Sequence, residues 1–293
     1  MHRRHFLQVA SAFTASSILR PVWAQQLQHK YVDQIGLQLW TVRNQLAADL
    51  KGTIKAVAAA GYWQVELGDV MKSDEIIAAA ADNGLKVTSS FIDWNVIGNP
   101  EGKDIATVDQ VVEKAHQLKL KHLVFGYIGK GHRETSDHYR RHAERANKAG
   151  EKCAAAGIQL NYHNHSFEFG KLPDGQTGFE VFKAEFDPKL VKFELDVFWA
   201  QIGGLAALDA IEQLKERIAQ LHLKDLKKGT PVIHDEGTVP ADAFKELGNG
   251  IIDMMAVIKA GEACGVDQCH VEQDQSPDPI ASIGQSYRHL KTL

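Results

Sequence analysis

The sequence predicts an α/β fold, a (β/α)8 TIM barrel, and three observations predict it. From residue 35 onward, short apolar runs alternate eight times with amphipathic stretches, and eight strand–helix units over about 250 residues is the arithmetic of that barrel. Several of the helix-like stretches close on a glycine at the turn into the next strand, at Gly61, Gly84, Gly157 and Gly265, as a left-handed helix C-terminus requires. No Gly-x-Gly-x-x-Gly follows the first apolar run, and a doubly wound sheet would not need eight units.

In chain order, the alternation of apolar and polar residues places strands near 35–40, 63–67, 86–92, 122–127, 158–163, 192–197, 218–223 and 268–272. Helices are expected near 49–60, 73–83, 106–119, 136–156, 177–184, 204–217, 251–264 and 280–292, the first two rich in alanine. In a barrel of this kind the active site lies at the C-terminal ends of the strands. Polar groups fall at that end again and again: Glu66 on the second strand, Asp93 and Trp94 on the third, His163 on the fifth, Asp196 on the sixth, His222 on the seventh and Glu272 on the eighth. His163 and His165 share a face if the strand continues through them, with Glu168 a short loop away. Packing alone does not call for one metal-ligating side chain at the end of each of four successive strands, so His163, Asp196, His222 and Glu272 are read as a metal set.

Before residue 25 the sequence has another character. Arg3 and Arg4, a mildly apolar run from Val9 to Leu19 and small residues up to Ala24 read as an export signal of twin-arginine type. The run is too short for the roughly 20 residues of a membrane span. The domain reading is therefore signal peptide 1–24, linker 25–34 and a single barrel 35–293. It carries a periplasmic or secreted location, contact with the twin-arginine (Tat) export machinery and no stable membrane anchor.

Removing Arg3, Arg4 and Arg20 from the 33 basic residues leaves 30 against 37 acidic ones, and no basic run. That balance lacks the electrostatic footprint of a nucleic-acid partner. Cys153, Cys264 and Cys269 are odd in number, in apolar surroundings, and read as buried thiols. His116, His122, His132, His138 and His142 share no face with the site and are read as surface or helix residues. The sequence shows no interface, so a homo-oligomer is left open.

Residues 35–43 (IGLQLWTVR), 162–169 (YHNHSFEF), 195–200 (LDVFWA), 221–225 (LHLKD) and 271–272 (VE) together resemble the sugar phosphate isomerase/epimerase superfamily with the xylose isomerase-like TIM barrel. The resemblance covers essentially all of residues 31–293. It implies a divalent metal held at the ends of strands five to eight, with the last three ligands mapping onto Asp196, His222 and Glu272. Where keto-sugar epimerases of the superfamily carry a glutamate on strand five, this chain carries His163. Either His163 takes over as ligand or base or Glu168 swings in from the loop as the fourth ligand, although the resemblance makes Glu168 a substrate contact.

Two imidazoles and two carboxylates suit Mn²⁺ first, with Co²⁺, Fe²⁺ or Zn²⁺ next and Mg²⁺ less well matched. Such an ion stabilises the enediolate formed when a base removes the proton beside a sugar carbonyl. Glu272, His163 and His165 are the expected catalytic groups, an imidazole base needing little tuning to work near neutrality. Lys224, Trp94, Trp199, Glu66 and Glu168 are the expected substrate contacts, and residues 234–238 (HDEGT) are a candidate lid. The reading is a metal-dependent isomerase or epimerase acting through an enediolate on a keto- or aldo-sugar. The alternative is a lyase or dehydratase, or hydratase, acting on 3-keto-glycosides by β-elimination. A non-catalytic sugar-binding protein is the third reading.

Overall fold

The computed structural model describes residues 30–293; the expected signal peptide, with Arg3 and Arg4, lies outside the described residues. Eight parallel strands close into a barrel: β1 (Gly36–Gln38), β2 (Gln64–Leu67), β3 (Lys86–Ile92), β4 (His122–Phe125), β5 (Gln159–His163), β6 (Val191–Asp196), β7 (Ile218–Leu223) and β10 (Gln268–Val271). Between the last two, β8 (Asp225–Leu226) and β9 (Phe244–Lys245) pair as a small antiparallel ribbon, which the sequence reading does not contain.

The alternation that predicts the strands also divides the core. Leu37, Val65, Leu123, Tyr162, Phe193, Leu195, Leu221 and Val271 are buried among the hydrophobic residues of one continuous core. The alternate positions carry Glu66, Ser89, Asn161, His163, Glu194, Asp196, Gln220, His222 and His270, all buried as well. The barrel axis is thus polar, where bulky branched side chains are the usual filling. Burying that many polar groups is tolerable only if they partner one another or a ligand. His122, expected outside the core, belongs to this column, where it meets Asn161 and Asp267. His142 is also buried, bonded to the His132 carbonyl, and burial lowers it to about 4.

All eight expected helices are present, from Leu50–Ala60 to Pro279–Leu290. Gly61, Gly84, Gly157 and Gly265 close four of them at φ of 108°, 75°, 75° and 76°, a region a side chain would strain. In the segment read as linker, Lys30–Asp33 forms a turn of helix, and the Tyr31 hydroxyl donates to the Val266 carbonyl at 2.5 Å. At the opposite, C-terminal end of the strands, short helices at Arg43–Ala48, Asn95–Gly98 and Val197–Ile202 form part of the rim. Among the described residues no helix is long and apolar enough to cross a membrane.

Candidate metal centre and substrate pocket

Strand register brings the expected ligands together. Asp196 on β6 pairs with His222 on β7, which pairs with His270 on β10, two residues before Glu272. His163, Asp196, His222 and Glu272 each offer a ligand atom within 4.8 Å of the others, and all four are buried. His222 points Nδ1 at Glu272 Oε2, 3.0 Å away. Asp196 is held rigidly: its Oδ1 accepts from the Trp199 N–H at 2.8 Å, capping the helix that follows, and Asn164 bonds its backbone N–H and C=O. Its other oxygen, Oδ2, has no hydrogen-bond partner among the described residues, although the Lys224 ammonium sits 3.2 Å away in an ion pair. Two ring nitrogens, two carboxylates and an aimed, unpartnered carboxylate oxygen fit a divalent transition ion.

Lys224 brings a fixed positive charge into the cluster. Its Nζ lies 2.6 Å from Asp274 Oδ2, 2.8 Å from Glu272 Oε2 and 3.2 Å from Asp196 Oδ2, with the side chain fully buried. Burial would raise Glu272, but Lys224 and the hydrogen bond with His222 outweigh it and hold the carboxyl at about 2. Burial dominates at Asp274 and lifts it to about 6. His163 is driven well below the usual imidazole range by burial first and then by His222. His165 falls to about 3, again by burial, with Lys224 as the next cause. His163 and His165 therefore do not titrate near neutrality as the sequence suggests and stay neutral in the working range, whereas at His222 burial is outweighed by the Glu194 and Glu66 carboxylates, which hold the ring well above the usual imidazole range.

A cavity of about 400 Å³ opens above this centre. Trp40, Phe91, Tyr127 and Trp199 form aromatic walls, while Gln38, His163, His165, Glu272 and Asp274 supply its polar groups. The segment 234–238 is tied across the rim, Glu236 accepting from Arg133 at 2.7 and 2.9 Å and from the Tyr127 hydroxyl at 3.0 Å, and Asp235 accepting from Lys130 at 2.8 Å.

Of the expected substrate contacts Trp199 lines the cavity and Lys224 is buried among the ligands beneath it, and three others lie elsewhere. Glu66 is sealed beneath the centre, its carboxylate meeting His222 Nε2 at 2.7 Å, Gln38 Nε2 at 2.8 Å and the Ser89 hydroxyl at 2.5 Å. A carboxylate behind a ligating imidazole fixes its tautomer and orientation. Glu194 meets His163 Nδ1 in the same way at 3.2 Å. Trp94 packs on His132 in the rim and does not line the cavity. Glu168 is fully buried, accepting from the Tyr162 hydroxyl at 2.5 Å and from the His165 N–H at 2.9 Å, so it shapes the loop that carries His165. Asp225, next to Lys224, is structural, gathering the N–H groups of Leu226, Gly248, Gly250 and Ile252.

Burial raises Glu168 to about 8 from an ordinary value of 4.5. A carboxyl raised on folding is ionised first in the unfolded chain, so its contribution weakens as pH climbs through that window. Glu168→Gln is expected to remove this slope: relative to the wild type, the variant gains up to a few kcal/mol between pH 4.5 and 8. Urea midpoints at the two pH values measure it, and parallel pH dependences of the two proteins would refute it.

Glu194, His270 and Asp274 are absent from the sequence-derived set. The signal for all three is in the strand period: each lies two residues from Asp196 or Glu272, on the same face.

A family profile described as xylose isomerase-like TIM barrel matches residues 54–293. The inosose dehydratase of Geobacillus thermodenitrificans (strain NG80-2) is 26% identical over 142 residues, 46% of this chain and 47% of that protein, so the chain spans about half the length of this curated relative. A solved sugar phosphate isomerase/epimerase from Parabacteroides distasonis superposes with a TM-score of 0.68 at 23% identity, covering 90% of this chain and 96% of that one. A probable 3-DHS dehydratase from Bacillus anthracis gives 0.66 at 15% identity, covering 88% and 98%. At these identities the two structures show a shared fold.

Proposed function

The chain belongs to the xylose isomerase-like TIM barrel family, and from that premise we propose that it is a metal-dependent enzyme acting through an enediolate on a keto- or aldo-sugar, as an isomerase or epimerase. The observation that carries the proposal is the convergence of His163, Asp196, His222 and Glu272 beneath an aromatic-walled cavity. When bound there, a divalent ion, Mn²⁺ first, supplies Lewis acidity toward a carbonyl and its neighbouring hydroxyl.

The protein's own groups do the rest. Trp40 and Trp199 offer flat apolar faces to a sugar ring, and Gln38 and Asp274 offer hydrogen bonds to its hydroxyls. His165 lines the cavity as a neutral imidazole and takes the proton beside the carbonyl; burial and Lys224 weaken it as a base, and the Glu272 carboxylate works against that weakening. Only Oε2 of Glu272 is engaged by His222 and Lys224, which leaves Oε1 to hold or return a proton at the second position. Lys224, charged at every working pH because its carboxylate partners outweigh burial, stabilises negative charge as it develops.

Elimination is the second reading. His163 stands where a second acid/base carboxylate would serve reversible epimerisation, and the similarity to an inosose dehydratase supports a dehydratase or lyase that expels a group β to the carbonyl of a 3-keto-glycoside. Export of the mature enzyme to the periplasm or beyond, on the strength of Arg3 and Arg4, belongs to the same proposal and favours unphosphorylated sugars.

Proton NMR in deuterated water, with Mn²⁺-loaded and then chelated protein and a panel of free ketoses and 3-keto-glucosides, tests both readings. Metal-dependent deuterium incorporation without aglycone release supports isomerase or epimerase chemistry. Release supports elimination. Neither signal with any member of the panel counts against the enediolate.

A further inference from the structure

Beneath the outer ligands the barrel axis holds a second set. Glu66, Glu194, His222 and His270 are fully buried, and each offers a ligand atom within 4.8 Å of the others. His222 stands between the two sets. Its Nδ1 faces Glu272, and its Nε2 lies 2.7 Å from Glu66 Oε2 and 3.2 Å from Glu194 Oε2.

Hydrogen bonding accounts for Glu66 and for one oxygen of Glu194, but not for the rest of this inner set. Among the described residues, both ring nitrogens of His270 and Oε1 of Glu194 have no partner. His270 Nδ1 is 3.8 Å from Glu66 Oε1, beyond hydrogen-bond reach. A buried polar atom left in that state costs about 1–3 kcal/mol, and native cores seldom keep several together. The ring packs against the backbone of β1, where a Cβ on Gly36 would stand 2.1 Å from its Cδ2 and 2.8 Å from its Nε2. A glycine at that point of β1 is what lets the imidazole face the axis.

We propose that Glu66, Glu194, His270 and Nε2 of His222 hold a second divalent cation, so that the His222 ring is shared between an outer and an inner ion. Two nitrogens and two carboxylate oxygens suit Mn²⁺, Fe²⁺, Co²⁺ or Zn²⁺. The inner ion takes the place of the proton between His222 and Glu66, which passes to solvent on binding. The inference uses the outer ligands but none of the sugar chemistry. Because the inner set lies under the outer one with no exposed atom, it loads first and yields to chelators last.

The test is metal content of the full chain loaded with Mn²⁺, gel-filtered and analysed by plasma mass spectrometry. Two ions per chain are expected in the wild type, one in His270→Ala and Glu194→Gln, and one in Asp196→Asn. Electron paramagnetic resonance of the wild type shows a spin-coupled pair that His270→Ala abolishes. Brief chelation leaves one ion per wild-type chain. Circular dichroism checks each fold, with His270→Gln as the substitute should the alanine variant not fold. One ion per wild-type chain, kept in His270→Ala and lost in Asp196→Asn, would overturn the inner site while leaving the outer centre and the proposed function intact.

Discussion

Glu272→Gln is expected to lower turnover by about 10³-fold or more, within the range that a positioned acid/base group contributes, while the protein stays folded. Glu272 is engaged in three ways: it is grouped with the outer ligands, bonds His222 Nδ1 at 3.0 Å and pairs with Lys224 at 2.8 Å. Glutamine keeps the shape but is a weak ligand and carries no exchangeable acid proton. Both a reduced metal content and a loss of proton transfer follow. Lys224 retains Asp196 and Asp274 as partners, so the ammonium is not stranded and the fold is spared. The two losses separate on titration with Mn²⁺. Saturating metal restores the occupancy of Glu272→Gln but not its deuterium-exchange rate, whereas Asp196→Asn, which removes a ligand outside the proton-transfer pair, recovers rate as occupancy recovers. Turnover in Glu272→Gln within tenfold of the wild type at saturating metal would remove this residue from the chemistry.

The contrast between those two residues also shows how far the sequence could be read. Asp196, His222 and Glu272 are legible because a strand ending in a ligating side chain, repeated on successive strands, is a local pattern, and the barrel rule then assigns them to one rim. Gly157 and its counterparts are legible for the same reason: a left-handed turn after a helix is a property of a few adjacent residues. Glu66 and Glu168 are not, because a carboxylate near a strand end looks the same whether it faces substrate or stands behind a ligand. Only the pairing of β2 with β1 and β3 puts Glu66 under His222. The β8–β9 ribbon escapes because each strand is two residues long, too short to show a period. The neutrality of His163 and His165 escapes because it follows from burial beside cations, which no pattern in their own segment reveals.

Lys224→Met carries the largest expected effect on stability. The lysine side chain is fully buried, with three carboxylates within 3.2 Å of its ammonium. Methionine approximates its volume, so the change removes charge more than packing. Breaking a buried ion pair from one side costs about 3–5 kcal/mol, because the remaining charge stays buried and unpaired. Here Asp196, Glu272 and Asp274 all lose their partner. Two of these carboxylates also belong to the outer ligand set, so a bound divalent cation supplies the missing charge. Binding to the folded state alone stabilises by RT ln(1 + [L]/Kd), and removing the competing ammonium tightens that binding. The variant is therefore expected to melt far below the wild type in chelator and to recover much of the gap in Mn²⁺, its metal-induced shift exceeding that of the wild type. The pH dependence has a definite sign. Lys224 helps hold Glu272 at about 2, below its ordinary 4.5, and stability from a depressed carboxyl is present above 4.5 and lost as pH falls toward 2. The gap between wild type and variant accordingly narrows across that acidic window. An equal loss with and without Mn²⁺, unchanged by acid, would mean that Lys224 supports the barrel by packing and not by balancing the charge of the metal ligands.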